Sequence, residues 1–515
     1  MSNHNRVFRI FITGIYLIVF IIITWNLGYQ YFMFDEAVQF WISKGLNPDS
    51  EPLSMPGGVL AVVENNKYYN MDPGGFGILL HFWAGISNHY VWLRLLPFIF
   101  YLAVIASFIY LSFRWQKNLN VALLMGFIPI LYPMLLTMGF EVRAYSMETL
   151  GAILCVVSLD VLKKKVTFKN LFTWSCILAL FMTSRYSLII VVFLTSLFVL
   201  NLIIKTNASL KNKFLLTAAY GLPLMITLGF IYFNALIYQN SNISPLIYIQ
   251  YLRDAPGLML TPQALAFLTS LVCLMAAYAA KKKYPIVQKY ADLILLTIIV
   301  NVVFIILSLL GKHPWVPAFS FRSNRCISMI TLMVLCYAAL LGEILSRVFL
   351  FKSVARYAVI LALLTGIIYW RKDALLPRLI PLDVRETESS YAIMNNVQLD
   401  LGKHYLDSTK KIYADWGSSP FIRYWYEYGP LRSEVGRSYP KNFTFTKTGR
   451  HGFYEGAKEV EFFKGHRNHQ ARKELGYYDL IIAGKIPEAD KWMLVSGTNN
   501  FWVKCADHAS PTKPN

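Results

Sequence analysis

Long apolar runs, separated by short polar and charged stretches, occupy most of the first 370 residues. A helix that spans a membrane needs about 20 mostly apolar residues, and runs of this kind predict eleven spanning helices. Their approximate ranges are 7–28, 92–113, 119–138, 143–162, 169–184, 186–204, 214–237, 262–280, 290–310, 326–346 and 355–370. The first run has no small-residue cleavage site, which predicts a retained anchor rather than a removed signal peptide. Residues 1–370 are therefore predicted to form a polytopic α-helical membrane domain.

The pattern changes after residue 370, where apolar runs become short and alternate with polar residues. Residues 411–415, 478–484 and 501–505 are predicted strands, and 419–426 is a predicted helix. Strands that alternate with helices are typical of a small α/β layer. Residues 371–515 are thus predicted to form a soluble α/β domain.

The composition supports a membrane protein. Hydrophobic residues make up 56% of the chain and charged residues 15%, with a mean hydropathy of +0.44. A soluble domain carries about 25% charged residues. These values exclude a disordered chain, a collagen-like chain and a small disulfide scaffold.

The net charge of +20, from 49 Lys and Arg against 29 Asp and Glu, is interpreted as a signal of orientation rather than of nucleic-acid binding. With a cytoplasmic N-terminus, every predicted inner loop is basic, as the positive-inside rule requires. The residues concerned are Arg6, Arg9, Arg114, Lys117, Lys163, Lys164, Lys165, Lys169, Lys205, Lys211, Lys213, Lys281, Lys282, Lys283, Lys289, Arg347, Lys352 and Arg356. The odd number of spans then places the C-terminal domain outside the cytoplasm.

The first outer loop, residues 29–90, is longer than a connection requires. Its segment 34–45 has apolar positions that would cover one face of a short helix in the membrane interface, ending at Gly45. Asp35 and Glu36 lie at the start of this helix, where the helix dipole favours a carboxylate. Helix capping alone explains one such residue, but two adjacent carboxylates at a membrane surface favour a role in chemistry.

A second short helix is predicted later in the same loop. Asp72 precedes Pro73, and proline after a polar residue is typical of a helix start. The helix should end near Ser87. For Asp72, simple capping is the preferred interpretation.

The remaining outer loops are rich in arginine, lysine and tyrosine. Several cations on one side of the membrane suit a phosphate group, although each could instead extend to lipid headgroups. Glu148 lies at membrane depth, where an ionisable residue indicates function. The outer-loop candidates for substrate binding are Asp72, Glu141, Arg143, Tyr145, Arg185, Tyr251, Arg253, Lys312, His313, Arg322 and Arg325.

Four segments together resemble the GT-C superfamily of integral-membrane glycosyltransferases, in its protein O-mannosyltransferase and aminoarabinose-transferase branch. They are the acidic pair Asp35-Glu36 after the first span, the segment from Asp72-Pro73-Gly74-Gly75 to His81-Phe82-Trp83, Leu93-Arg94-Leu95-Leu96-Pro97, and Arg143-Ala144-Tyr145-Ser146. The resemblance covers residues 1 to about 370. The segment at Asp72 departs from the His-Pro-Pro-Leu form common in relatives.

The resemblance implies transfer of a sugar from a polyprenyl-phosphate donor to an acceptor hydroxyl of a glycan, lipid or protein, with inversion, at the outer face of the plasma (inner) membrane. It implies Asp35 as the general base, with Glu36 positioning Asp35 or the acceptor. Glu141 matches a second acidic position that binds the acceptor or, with Glu36, a divalent metal cation that some members use. The arginines and lysines would bind the carrier phosphate.

Two other classes of protein remain open. A transporter or flippase of lipid-linked glycans would also have many spans and buried charge, but it should show internal repeats and broken helices at the midplane. A polymerase or ligase that joins such glycans would also act at the outer face.

Overall fold

A computed structural model describes residues 3–29, 34–46, 57–69, 72–238, 262–310 and 326–348, together with short segments between 411 and 504. The chain divides into two compact units. The helical unit comprises Met1–Ile21, Asn70–Phe76 and Leu95–Arg378, and the mixed unit comprises Ile22–Tyr69, Gly77–Arg94 and Leu379–Asn515. Most of the first outer loop therefore groups with the C-terminal residues.

The described residues are mainly helical, as the apolar runs predict. In chain order the helices are α1 Asn3–Tyr29, α2 Phe34–Ser43, α3 Val59–Tyr69, α4 Gly75–Ala84, α5 Tyr90–Gln116, α6 Leu119–Met125, α7 Ile128–Leu131, α8 Pro133–Met138, α9 Tyr145–Leu162, α10 Phe168–Met182, α11 Tyr186–Ile204, α12 Leu210–Asn234, α13 Pro262–Ala279, α14 Pro285–Lys289, α15 Ala291–Leu309 and α16 Ile327–Val348. A 3-10 turn, Leu236–Tyr238, follows α12.

Six helical segments in the described part of the chain are long and apolar enough to cross a membrane. They are Tyr90–Gln116, Tyr145–Leu162, Tyr186–Ile204, Leu210–Tyr238, Ala291–Ser308 and Ile327–Arg347. Shorter apolar helical segments cover Phe8–Ile21, Gly75–Ala84, Leu119–Leu131, Phe168–Met182 and Leu265–Ala279. These helices support a membrane-embedded helical protein. The total of eleven spans stays a prediction, and the last of them, 355–370, lies outside the described residues.

The third predicted span, 119–138, is not one continuous helix. It forms the three short helices α6, α7 and α8. Prolines in the first turn of α7 and of α8, Pro129 and Pro133, explain the breaks. Proline has no backbone N–H and its ring clashes with the preceding turn, so each proline starts a new helix rather than continuing the last.

Helix α9 is the most buried of the candidate spans. Of the 18 residues of α9, 83% are buried inside the protein, whereas only 22% of an apolar stretch of the same length is buried in the segment Leu210–Tyr238. Gly151 lets α11 pack closely, because a Cβ at this position would lie 2.4 Å from a methyl carbon of Leu188. The start of α9 is therefore held firmly, and this is where the acidic and basic candidates of the helical unit lie.

The predicted short helix at 34–45 is confirmed as α2. Gly45 follows it with a φ of +71°, the left-handed conformation that glycine adopts at helix C-termini. Residues from Glu36 to Ser43 are all buried. The second predicted helix is confirmed as α4, but it begins at Gly75 rather than Pro73, because Gly74 before it has a φ of +95°.

The described C-terminal residues form a seven-stranded mixed sheet with the order β2-β3-β4-β1-β5-β7-β6. The strands are β1 Lys411–Ala414, β2 Phe443–Phe445, β3 His451–Tyr454, β4 Glu459–Phe463, β5 Leu480–Ile482, β6 Trp492–Leu494 and β7 Phe501–Lys504. Central β1 is parallel to β4 and β5, and the other pairs are antiparallel. Strands β1, β5 and β7 lie within the predicted strands at 411–415, 478–484 and 501–505. Most of the predicted helix 419–426 lies outside the described residues.

Candidate functional site

Glu36 in α2 and Arg94 in α5 form a buried ion pair in the mixed unit. Arg94 donates from Nε to Oε1 at 3.0 Å and from Nη2 to Oε2 at 2.6 Å, and each side chain is 1% exposed. The guanidinium carbon also lies 5.6 Å from the centre of the Tyr90 ring. A bidentate pair of this kind satisfies both charges away from water. Glu36 is therefore occupied by Arg94 and is suited to holding α2 in place.

Asp35 has a different environment from its neighbour. It lies in the first turn of α2, and its side chain is exposed. Of the two adjacent carboxylates, Asp35 is thus the one accessible to a substrate hydroxyl.

Aromatic residues of the C-terminal part pack against α2 within the mixed unit. The Phe40 ring lies 5.2 Å from the Tyr424 ring in an edge arrangement, and Trp41 Nε1 donates to the carbonyl of Pro420 at 2.7 Å. Tyr424 donates its hydroxyl to the carbonyl of Asn88 at 2.7 Å. Burial raises the pKa of the Tyr424 hydroxyl, partly opposed by Arg94, so this group stays protonated and donates.

Lys44 and His81 support the other end of α2. Lys44 Nζ donates to the carbonyl of Ala84 at 3.3 Å and lies 5.5 Å from the Phe40 ring centre. Burial lowers the pKa of Lys44. Nδ1 of His81 lies 2.8 Å from the carbonyl oxygen of Ser43. These contacts fasten α2 to the end of α4, so they are structural rather than reactive.

A second polar cluster, the Arg185 cluster, lies in the helical unit. Arg185 contacts two carboxylates: Nε is 3.1 Å from Glu148 Oε2, and Nη1 is 3.5 Å from Asp72 Oδ1. Ser187 donates to Glu148 Oε1 at 2.5 Å. Burial alone lowers the pKa of Arg185, but the nearby carboxylates, Asp72 first, outweigh burial and raise it. The arginine therefore carries its charge between two buried acids.

Arg143 and Tyr145 extend this cluster. The Tyr145 ring centre lies 4.5 Å from the guanidinium carbon of Arg185 and 5.8 Å from that of Arg143. Arg143 is half-buried, and Glu141 is 8% exposed. The Arg143 backbone N–H donates to the Glu141 carbonyl at 2.6 Å. Two guanidinium groups thus share one aromatic ring at the start of α9.

Two helices begin at the Arg185 cluster without a side-chain cap. Ala144 is the N-cap residue of α9 and Arg185 is that of α11, and neither side chain accepts a bond from the first turn. Backbone N–H groups at a helix N-terminus attract anions. Arg143 and Arg185 thus lie with the Tyr145 ring near two helix N-termini, and Arg185 also contacts Asp72 and Glu148.

The segment around Asp72 is fixed against the turn before α11. Gly75 N–H donates to the Thr183 carbonyl at 3.0 Å, and the Tyr186 hydroxyl donates to the Asp72 carbonyl at 3.5 Å. Capping was the preferred interpretation for Asp72. The structure adds a partner that the sequence did not indicate, Arg185.

The sequence-predicted residues fall into three groups. Asp35 and Glu36 belong to the mixed unit, whereas Asp72, Glu141, Arg143, Tyr145 and Arg185 belong to the helical unit. The candidates Tyr251, Arg253, Lys312, His313, Arg322 and Arg325 lie outside the described residues. Among the residues that the structure describes, no three His, Cys, Asp or Glu side chains group so that they could hold a metal ion. The role of a divalent cation stays a prediction.

Of the charged residues in these clusters, Arg94 was not predicted to have a role in the site, and Glu148 was predicted to be functional without an assigned role. Arg94 is an arginine at the start of an apolar span, and Glu148 is an acid inside one. A charge in an apolar span is costly and needs a partner, which was the available signal for both. The sequence gives no indication of which partner each one has.

Comparison of the chain with protein-family models and with curated protein sequences gives no match. The assignment of a function therefore depends on the chemistry of these side chains.

Proposed function

We propose that this protein is a membrane glycosyltransferase that transfers a sugar from a polyprenyl-phosphate donor to an acceptor hydroxyl. The observation that carries the proposal is the meeting of Arg143 and Arg185 at two uncapped helix N-termini, of α9 and α11. Guanidinium groups and backbone N–H groups in a buried setting stabilise a phosphate that gains charge as it leaves. This arrangement supports a leaving-group site for a lipid phosphate.

The reaction then needs a base and a displacement. In the reaction that the family resemblance implies, a carboxylate, assigned by that resemblance to Asp35, takes the proton of the acceptor hydroxyl, and the acceptor oxygen forms a bond to the anomeric carbon of the sugar. The bond from that carbon to the phosphate oxygen breaks, and the polyprenyl phosphate leaves with the electron pair. Attack opposite the leaving group inverts the configuration. Glu36 positions α2, and with it Asp35, through Arg94.

Replacement of Asp35 tests its proposed role as the general base. The full-length protein, purified into lipid nanodiscs, is given a panel of radiolabelled polyprenyl-phosphate sugars, and release of polyprenyl phosphate is followed together with labelled product. We expect Asp35→Asn to lower kcat by about 10²–10⁴-fold, the usual contribution of a general base. Glu64→Gln is the matched control, because Glu64 is an exposed carboxylate in the same loop. Transfer at the wild-type rate by Asp35→Asn contradicts the assignment.

Replacement of the arginine tests the phosphate site. A charge-assisted hydrogen bond contributes about 1.5–3 kcal/mol. We therefore expect Arg143→Gln to raise the KM for the lipid donor by about tenfold to a hundredfold, and Arg143→Lys to recover part of the loss. An unchanged KM would indicate that Arg143 contacts lipid headgroups instead.

The same preparation distinguishes a transporter or flippase. Exchange of a lipid-linked sugar across proteoliposomes, with no covalent product from any donor in the panel, would replace the glycosyltransferase proposal. A labelled product of several joined sugar units would indicate the polymerase or ligase.

A further inference from the structure

Three consecutive lysines, Lys281, Lys282 and Lys283, lie in a compact turn of the helical unit between α13 and α14. Three backbone hydrogen bonds close the turn: Lys281 N to Tyr278 O at 3.1 Å, Lys283 N to Ala280 O at 2.9 Å and Tyr284 N to Ala280 O at 3.3 Å. We call this segment the trilysine turn. These bonds hold its backbone in a tight turn, so the three lysines start from one short segment.

In the part of the chain that the structure describes, the lysines of the trilysine turn form no ion pair with an acid. Glu343 pairs with Lys289 at 2.7 Å, and Asp292 pairs with Lys163 at 2.6 Å. These two acids already have basic partners. The turn therefore keeps a concentrated positive charge that suits an anion.

Tyrosine rings flank the lysines. Lys281 Nζ lies 3.8 Å from the centre of the Tyr278 ring, and Lys283 Nζ lies 5.8 Å from that of Tyr284. The Tyr284 side chain is 50% exposed. Tyrosine and lysine are typical of the boundary between acyl chains and headgroups. There the apolar part of each side chain contacts the acyl chains, and its polar end contacts the headgroups or water.

An exposed apolar stripe leads along α13 toward the turn. Leu265, Leu268, Val272 and Met275 are 47%, 37%, 62% and 49% exposed. Their spacing of three and four residues puts them on one helix face. An acyl chain can lie along such a stripe. Helix α13 thus presents an apolar surface, and the trilysine turn that follows it presents positive charge.

We propose that the trilysine turn binds the headgroup of an anionic phospholipid whose acyl chain lies along this stripe of α13. A basic residue near a membrane surface is attracted to anionic lipid, and the attraction of several adds. The ligand is a lipid rather than free phosphate, because the charge follows an exposed apolar helix face. This site is independent of the proposed glycosyl transfer.

The test uses the full-length protein in nanodiscs of phosphatidylcholine with or without phosphatidylglycerol. The readouts are phosphatidylglycerol retained by the protein in native mass spectrometry and the shift in Tm that this lipid causes. The variant is Lys281→Gln/Lys282→Gln/Lys283→Gln. The matched control is Lys164→Gln/Lys165→Gln/Lys169→Gln, which removes the same charge from exposed lysines in the turn after α9 and in the first turn of α10.

We expect the trilysine variant to weaken apparent binding of phosphatidylglycerol by on the order of a hundredfold and to abolish the lipid-dependent Tm shift. The control should keep most of both. Equal losses in the two variants would show that net charge, not this turn, attracts the lipid, and would overturn the proposal, as would no loss in either.

Two further measurements keep the test decisive. Lys281→Arg/Lys282→Arg/Lys283→Arg keeps the charge and should retain the lipid, which separates a binding defect from a folding defect. Inorganic phosphate added to phosphatidylcholine nanodiscs should give no Tm shift. A shift as large as that from phosphatidylglycerol would mean that the turn binds phosphate without the lipid.

Discussion

The Glu36–Arg94 pair shows how much one contact can determine about a site. Both side chains are 1% exposed, and each would be a buried charge without the other. Because two oxygens of Glu36 are bonded, its direction is fixed, and so is the start of α2. Asp35, the preceding residue in the chain, is exposed at that same helix start. Two adjacent acids thus have different surroundings: Glu36 is buried in an ion pair, and Asp35 is exposed.

The first prediction concerns this pair. Arg94→Met leaves the Glu36 carboxylate buried without its cation, and removal of one partner of a buried pair typically costs about 3–5 kcal/mol. We expect that loss in the free energy of unfolding, measured by denaturant titration of the purified protein. Glu36→Leu combined with Arg94→Met should be less destabilised than Arg94→Met alone, since no lone charge remains.

A surface pair is the control for that measurement. Lys67 and Glu64 lie 2.6 Å apart, but the Glu64 side chain is 60% exposed. An exposed pair contributes at most about 1 kcal/mol, so Lys67→Met should have little effect. A loss in Arg94→Met as small as that in Lys67→Met would show that Glu36 finds water or another partner when Arg94 is removed.

At the scale of the element, the connection into α4 is fixed by close backbone contact. A Cβ on Gly75 would lie 1.8 Å from Thr183 Oγ1 and 2.9 Å from the Thr183 carbonyl oxygen. Gly75 N–H also donates to that carbonyl. The segment carrying Asp72 can therefore approach the turn before α11 only because residue 75 has no side chain.

The second prediction follows from this contact. Gly75→Ala should destabilise the protein by roughly 1–3 kcal/mol, the usual cost of forcing an extra methyl group into a packed region. Thermal unfolding in detergent measures the change. In Gly221→Ala, the added Cβ in α12 meets nothing within 4 Å, so this control should be neutral or slightly stabilised. Equal stability of the two variants would contradict the close contact at Gly75.

Helices are also the scale at which the sequence was most informative. Apolar runs predicted the long helices, and Gly45 marked the end of α2, because these signals act between near neighbours in the chain. The contacts of the candidate site join residues far apart, such as Glu36 and Arg94 at a separation of 58 residues. The choice of partner depends on how the helices pack. Pro129 and Pro133 indicate that the third predicted span is broken, but a search for apolar runs alone does not detect the break.

At the scale of the whole molecule, the division of the chain departs from sequence order. The mixed unit combines Ile22–Tyr69 and Gly77–Arg94 with Leu379–Asn515. Within it, Tyr424 contacts the Phe40 ring and the Asn88 carbonyl. A C-terminal residue thus helps to hold the helix that carries Asp35. A composition boundary near residue 370 could not reveal this, since it records where the chain stops being apolar and not what its later residues contact.

The third prediction tests that connection. Tyr424 is fully buried, and loss of a buried aromatic side chain costs about 3–5 kcal/mol. We expect Tyr424→Ala to speed amide hydrogen exchange in α2, residues Phe34–Ser43, by about a hundredfold or more. Amide exchange requires local opening of the helix, and the loss of Tyr424 lowers the free energy of that opening. Tyr424→Phe removes only the bond to Asn88, about 1 kcal/mol, and should speed the same exchange by roughly fivefold.

The control for this prediction lies in the sheet. Trp492 packs with Tyr413, Tyr478 and Ile481 in the core beside β1 and β5. Trp492→Ala should speed exchange in those strands and leave α2 unchanged if the sheet and the α2 contacts open separately. Faster exchange in α2 in both variants would mean that the mixed unit opens as one. Unchanged exchange in α2 in Tyr424→Ala would mean that Glu36 and Arg94 hold the helix without help from the C-terminal part.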